Sequence, residues 1–194
     1  PHQNKKTHKG ATPKAWRLFA LEDSSSKVKG KATMASSIPI QFDPEWRKVA
    51  ENLRRWCGVA LFDDEHIIVV GGVDIHYSNA VTLVNIKTGK CTELAPLKKP
   101  RYDCPSIVVN KILFVFGGYK GDAWIFPRTL KDVEMLDLSD FDFSSSSNQR
   151  RQFQLLENHP LPQPLRYATL VADGGDFIYV IGGYNGTFYG SFSV

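Results

Sequence analysis

Residues 101–118 read RYDCPSIVVNKILFVFGG, and this stretch decides the fold. Two runs rich in Val, Ile and Phe flank the polar pair Asn110-Lys111. Short β-branched and aromatic runs around a polar turn predict a β-hairpin. The corresponding strands Ile67–Val70 and Phe177–Ile181 are apolar on both faces, as a strand sandwiched between two sheets should be. Gly117 and Gly118 then end the strand, where glycine lets the chain bend sharply at positive φ.

The pattern returns twice. Residues 55–72 read RWCGVALFDDEHIIVVGG and residues 166–183 read RYATLVADGGDFIYVIGG. Each begins with an arginine and an aromatic residue and ends on two glycines. The arginines (Arg55, Arg101, Arg166) and the first glycines (Gly71, Gly117, Gly182) are both spaced by 46 and then 65 residues, so the block has constant length. The second glycines are Gly72, Gly118 and Gly183. The turns Asp63-Asp64-Glu65 and Asp173-Gly174-Gly175-Asp176 match Asn110-Lys111. Two more strands are expected after the glycines: 80–86 and 91–94 in the first repeat, 131–138 and 153–156 in the second. Four strands in about 45 residues is the unit of a β-propeller blade.

The double glycines, Tyr119 and Tyr184 after them, Asp132 and Asp137 in the third strand, and the exits Ala95-Pro96-Leu97 and Leu161-Pro162 resemble the kelch repeat family. The resemblance covers residues 46–194. It departs from the family pattern at Cys91 and Phe153, which stand where Trp is usual, and at Val73, which stands where an aromatic is usual. The expected fold is all-β, a kelch β-propeller fragment of four-stranded antiparallel blades. The expected divisions are a disordered basic tail over 1–40, the closing strand of a preceding blade over 41–54, blades over 55–100 and 101–165, the latter with an inserted loop, and a truncated blade over 166–194. A closed propeller takes four to eight blades. The chain is therefore expected to be part of a longer one, or to need missing blades or a second copy to close its ring. It opens on Pro1, and Met34 is the candidate initiator.

Charge is unevenly distributed along the 194 residues, whose formal net charge is +4. Residues 1–37 hold eight basic and two acidic side chains, leaving −2 for the rest. A basic face for nucleic acid is thus not expected on the folded part. The tail either is a solvated segment or serves nuclear import or an anionic surface, and Ala15–Leu21 (AWRLFAL) is read as a transient amphipathic turn or two. No apolar run is long enough for a membrane helix. Cys57, Cys91 and Cys104 have no metal-type spacing and read as reduced, buried thiols of a cytoplasmic or nuclear protein. His2, His8, His66, His76 and His159 form no metal pattern, so no metal or cofactor is expected.

The resemblance implies that a partner protein docks on the face formed by the loops after the glycines and before the first strands. Candidate contacts are Asp74, His76, Tyr77, Arg101, Tyr119, Lys120, Trp124, Arg166, Tyr184 and Asn185. Tyr119 and Tyr184 could equally pack between blades. The head arginines are more readily bridges to carbonyls of the adjacent blade than ligand contacts. The six glycines are structural. The expected function is a protein-binding scaffold or adaptor module without enzymatic activity. The alternative is a propeller enzyme resembling galactose oxidase or a sugar epimerase, for which no ligand set can be assembled from the sequence.

Overall fold

The computed structural model describes residues 53–120, 128–142, 151–175 and 177–185, together with the backbone of 15–19. Trp46, Trp124 and the serine run after Phe143 lie outside the described residues, as do the closing strand expected over 41–54, save its last two residues, and the stretch beyond Asn185.

Described residues contain strands and no helix. The first sheet is an antiparallel meander of β2 (Gly58–Asp63), β3 (His66–Val70), β4 (Val81–Asn85) and β5 (Cys91–Glu93). In the second, β6 (Ser106–Val109), β7 (Ile112–Phe116), β10 (Val133–Asp137) and β11 (Gln154–Leu155) pair in that order. A two-stranded ribbon of β8 (Tyr119–Lys120) and β9 (Arg128–Thr129) is inserted after β7. The third sheet pairs β12 (Thr169–Ala172) with β13 (Phe177–Ile181). Among the described residues the architecture is all-β, two four-stranded antiparallel blades and a third, shorter sheet, and these do not close a ring.

β7 shows why the sheets stack. All five of its residues are buried, and they divide by alternation. Leu113 and Val115 join Ile68, Val70, Val81 and Leu83 of the first sheet in one core. Ile112, Phe114 and Phe116 join Ile178 and Val180 of the third sheet in another. Each buried Phe contributes about 1.5–3 kcal/mol relative to exposure, so the strand glues its neighbours together from both faces. β13 uses only one face: Ile178 and Val180 are buried, whereas Phe177, Tyr179 and Ile181 are half-buried. This differs from the sandwiched strand its apolar sequence predicts, because no sheet among the described residues covers the second face.

The double glycines join one sheet to the next. The Gly72 N–H donates to the Arg101 carbonyl at 2.9 Å, and the Gly118 N–H to the Leu165 carbonyl at 2.8 Å. A Cβ on Gly71 would stand 2.2 Å from the Arg101 oxygen, and one on Gly117 would stand 2.1 Å from the Leu165 oxygen. Only glycine permits that approach, at φ +60 and +48.

Three expectations need correction. Ala15–Phe19 is not unstructured: it forms β1, which pairs in parallel with β13. Its run of β-compatible residues meets the edge of β13 opposite β12, where backbone groups need partners. Cys91 is exposed rather than buried, because it opens the outermost strand of its sheet; Cys104 is buried and Cys57 half-buried.

The third correction concerns the arginines. Isolated bridges pair Arg55 with Val73, Tyr102 with Tyr119 and Arg166 with Tyr184. Since Val73, Tyr119 and Tyr184 each follow a double glycine, Arg55, Tyr102 and Arg166 are equivalent, and the counterparts of Arg101 are Arg54 and Leu165. The constant arginine-to-glycine length hides a slip of one residue. The β6–β7 hairpin closes on Asn110 and Lys111, both at positive φ. The first hairpin carries a register shift between Leu61 and Asp63 and is one residue longer.

Candidate functional site

The slip separates the arginines by role. Arg101 is fully buried: Nη1 donates to the Gly117 carbonyl at 2.8 Å, Nη2 pairs with the Glu134 carboxylate, and Nε reaches the Lys99 carbonyl at 3.4 Å. Glu134, also fully buried, accepts from the Lys98 N–H at 2.8 Å through its other oxygen. Arg54 does the same work in the first blade, donating from Nε to the Gly71 carbonyl at 2.6 Å and from Nη2 to the Ala80 carbonyl at 3.1 Å. Its Nη2 also reaches Thr82, which stands on the third strand where Glu134 stands in the next blade. The expected contact residue Arg101 is therefore withdrawn: it has no surface to offer, because it ties its own glycine turn to its own third strand.

The equivalents of Arg55 and their followers instead form a rim. Trp56, Asp103 and Tyr167 occupy the same place in successive units, all at positive φ (55, 52 and 61). For bulky side chains this is a strained backbone region, stabilised only by its surroundings. Here those surroundings are rungs between units: the Asp103 N–H donates to the Trp56 carbonyl at 2.8 Å, and the Tyr167 N–H to the Asp103 carbonyl at 3.4 Å. Trp56 and Tyr167 are 61% and 60% exposed.

Aromatic rings gather behind them. Tyr77 stacks on Tyr102 with centroids 5.3 Å apart and planes within 8°, while Trp56 and Tyr119 lie 5.7 and 5.1 Å from Tyr102. The Arg166 guanidinium sits 4.4, 4.9 and 5.0 Å from the rings of Tyr119, Tyr167 and Tyr184. Asp103 lies 3.8 Å from Arg166 and is 4% exposed. Burial pushes its carboxyl above the ordinary value, against the hydrogen bond from Tyr167 and the charge of Arg166. Burial also pushes Tyr102 up to about 12. Asp103 Oδ2 and Arg166 Nε are buried with no hydrogen-bond partner among the described residues. A cavity of about 430 Å³ runs from Asp103 and Tyr167 along the starts of β2, β6 and β12.

Of the other expected contacts, Tyr77, Tyr119, Arg166 and Tyr184 meet in this cluster. Asp74 and His76 are exposed on the loop before Tyr77; Lys120 lies one residue past Tyr119 on β8; Asn185 follows Tyr184. Sequence reasoning missed Trp56, Tyr102, Asp103 and Tyr167. For Trp56, Tyr102 and Tyr167 a signal was present, since the aromatic residue after each head arginine recurs in all three blocks; for Asp103 there was none. Among the described residues no group of three or more His, Cys, Asp or Glu side chains could hold a metal ion, and no helix is long and apolar enough to cross a membrane.

Four-stranded sheets stacked through double-glycine turns, with loops gathered at a rim, define the class of β-propeller repeat proteins. Residues 100–148 match the family model described as the Kelch motif. A 79-residue stretch is 34% identical to the Kelch repeat-containing protein At1g19470 of Arabidopsis thaliana, covering 39% of this chain and 19% of that protein. Residues 100–148 are thus similar to the kelch motif, a repeat that generally mediates contacts between proteins.

Proposed function

We propose that this chain is a non-enzymatic protein-binding module, the recognition part of a scaffold or adaptor, and that its partner docks on the rim built by Trp56, Tyr102, Arg166 and Tyr167. The observation that carries this reading is Arg166: a guanidinium held among three tyrosine rings, with Nε unpaired. Tyr, Trp and Arg dominate interface energetics when they cluster near an interface centre. Trp56 and Tyr167 offer large rigid surfaces, and the strained backbone beneath them is typical of residues placed for contact rather than for packing. Arg166 Nε and Asp103 Oδ2 are buried behind these rings, so the pair fixes the rim from beneath while the exposed Trp56 and Tyr167 make the contact. Further blades, or a second copy, would close the ring around the same rim. The free thiols Cys57, Cys91 and Cys104 fit a reducing compartment, cytoplasm or nucleus.

The test is selection of random displayed peptides on the immobilised full chain, followed by titration of the enriched peptides. Tyr167→Ala and Arg166→Ala should each weaken them about tenfold or more, the usual size of a loss at an interface hot spot. Selected peptides whose affinity ignores both substitutions would place the partner elsewhere.

A further inference from the structure

In the first two blades the third strand answers to an arginine. Thr82 of β4 stands opposite Val69, and Glu134 of β10 stands opposite Val115; both valines lie two residues before a double glycine. Thr82 and Glu134 are buried polar residues, and in each case the arginine of the unit reaches them. Arg54 Nη2 lies 3.5 Å from Thr82 Oγ1, and Arg101 pairs with the Glu134 carboxylate. In the third unit the counterpart of these arginines is Leu165, buried in one core with Ile178 and Val180. A carboxylate opposite Val180 would be buried there without a cation, at a cost that an apolar residue does not carry.

The sequence of β1 matches that demand. β1 lies on the edge of β13 opposite β12, the place that β4 takes beside β3 and β10 takes beside β7. Its register sets Trp16 opposite Ile178 and Leu18 opposite Val180. The first pair is apolar in every unit, with Val84 opposite Ile67 and Leu136 opposite Leu113. The second changes from Thr82 and Glu134 to Leu18, in step with the change from Arg54 and Arg101 to Leu165. One difference remains: β1 runs parallel to β13, whereas β4 and β10 run antiparallel to their neighbours. Parallel pairs are slightly less stable per residue, and β1 forms only five of them, so the same sequence supplied in trans can replace it.

We propose that the edge of β13 is a strand-acceptor site, that Leu165 makes it select an apolar residue opposite Val180, and that residues 15–19 are the strand it selects. The site shares no residue with the rim of Trp56, Tyr102, Arg166 and Tyr167, so either can fail without the other.

The probe is a fluorescein-labelled, end-capped peptide of residues 13–21, PKAWRLFAL, titrated into the full chain by anisotropy. In the unaltered chain the resident strand competes at high effective concentration, so Leu18→Glu in the chain should tighten probe binding about tenfold or more. The same substitution in the probe should weaken it about tenfold or more, because a carboxylate then faces an apolar site. Leu165→Arg in the chain should reverse the preference, so that the probe carrying Leu18→Glu binds better than the original. Thermal unfolding reads the same selection in cis. Leu18→Glu and Leu165→Arg in the chain should each lower Tm by about 3 °C or more, and the double variant should recover about half of the summed loss or more. Probe binding indifferent to Leu18→Glu in the chain overturns the proposal. So does a preference unchanged by Leu165→Arg, or a double variant whose loss is the sum of the single losses. Should Leu165→Arg alone fail to fold, a cooperative transition in the double variant supports the site and its absence contradicts it.

Discussion

Arg101 and Arg166 begin blocks that look the same in sequence, yet they end in different chemistry. Arg101 is sealed, with its guanidinium divided between Gly117, Glu134 and Lys99. Arg166 stands one position further along its unit, stacked among tyrosines with Nε unpaired, while the position equivalent to Arg101 is filled by buried Leu165. One position along a strand turns a side chain to the other face. The same residue type therefore holds a blade together in one unit and furnishes its rim in the next.

The largest expected effect lies on the sealed side. Glu134→Ala leaves the Arg101 charge buried without its partner and should cost about 3–5 kcal/mol in denaturant unfolding. Arg166→Ala should cost less, about 1–2 kcal/mol, since Arg166 is partly exposed on ring faces and Asp103, whose pKa burial already raises, can take up a proton when its cation is removed. Equal losses would break the comparison.

Glycines sharpen it next. Gly117→Ala would drive a methyl to 2.1 Å from the Leu165 carbonyl at φ +48, and should cost about 3 kcal/mol from overpacking and left-handed strain together. Gly182 has φ +66 and nothing within 4 Å, so Gly182→Ala should cost only about 1–2 kcal/mol. Thermal or urea unfolding of the two variants measures the difference.

The smallest effect belongs to Asp103 on the rim. Burial raises its pKa in the folded chain above the ordinary 3.8. Its contribution to stability is then full below pH 3.8 and is lost as pH rises through the folded value. Asp103→Asn should remove that falling component from the stability profile above pH 3.8, and a profile unchanged by the substitution would show that the carboxylate is not desolvated.

Much of the fold was legible in the sequence because its signals are local. Short apolar runs, turn residues and paired glycines mark the strands; of the two runs read as apolar on both faces, Ile67–Val70 is buried from Ile68 onward, whereas Phe177–Ile181 is buried on one face only. The slip was not legible. Its cause is an extra residue at the turn of the first and third hairpins, and an arginine one position out of line restores the count. Glu134 was hidden for a related reason: a lone carboxylate in a strand reads as solvent-facing until its arginine is found opposite. Strand β1 could not be read from propensity alone, because what selects it is the edge of β13, more than 150 residues away. Of the rim, the tyrosines after the glycines were legible, and Trp56 and Tyr167 were marked by the head arginines before them; their positive φ was not, since Trp, Asp and Tyr carry no common signature for that conformation.

Amide hydrogen exchange at Gly72 and Gly118 tests most directly the claim that the second glycine of the first two pairs fastens one sheet to the head of the next. Their N–H groups donate to Arg101 and Leu165 in the following unit, so both should exchange as slowly as the amides of β3 and β7. Exchange at the rate of an exposed loop, with β3 and β7 still protected, would contradict it.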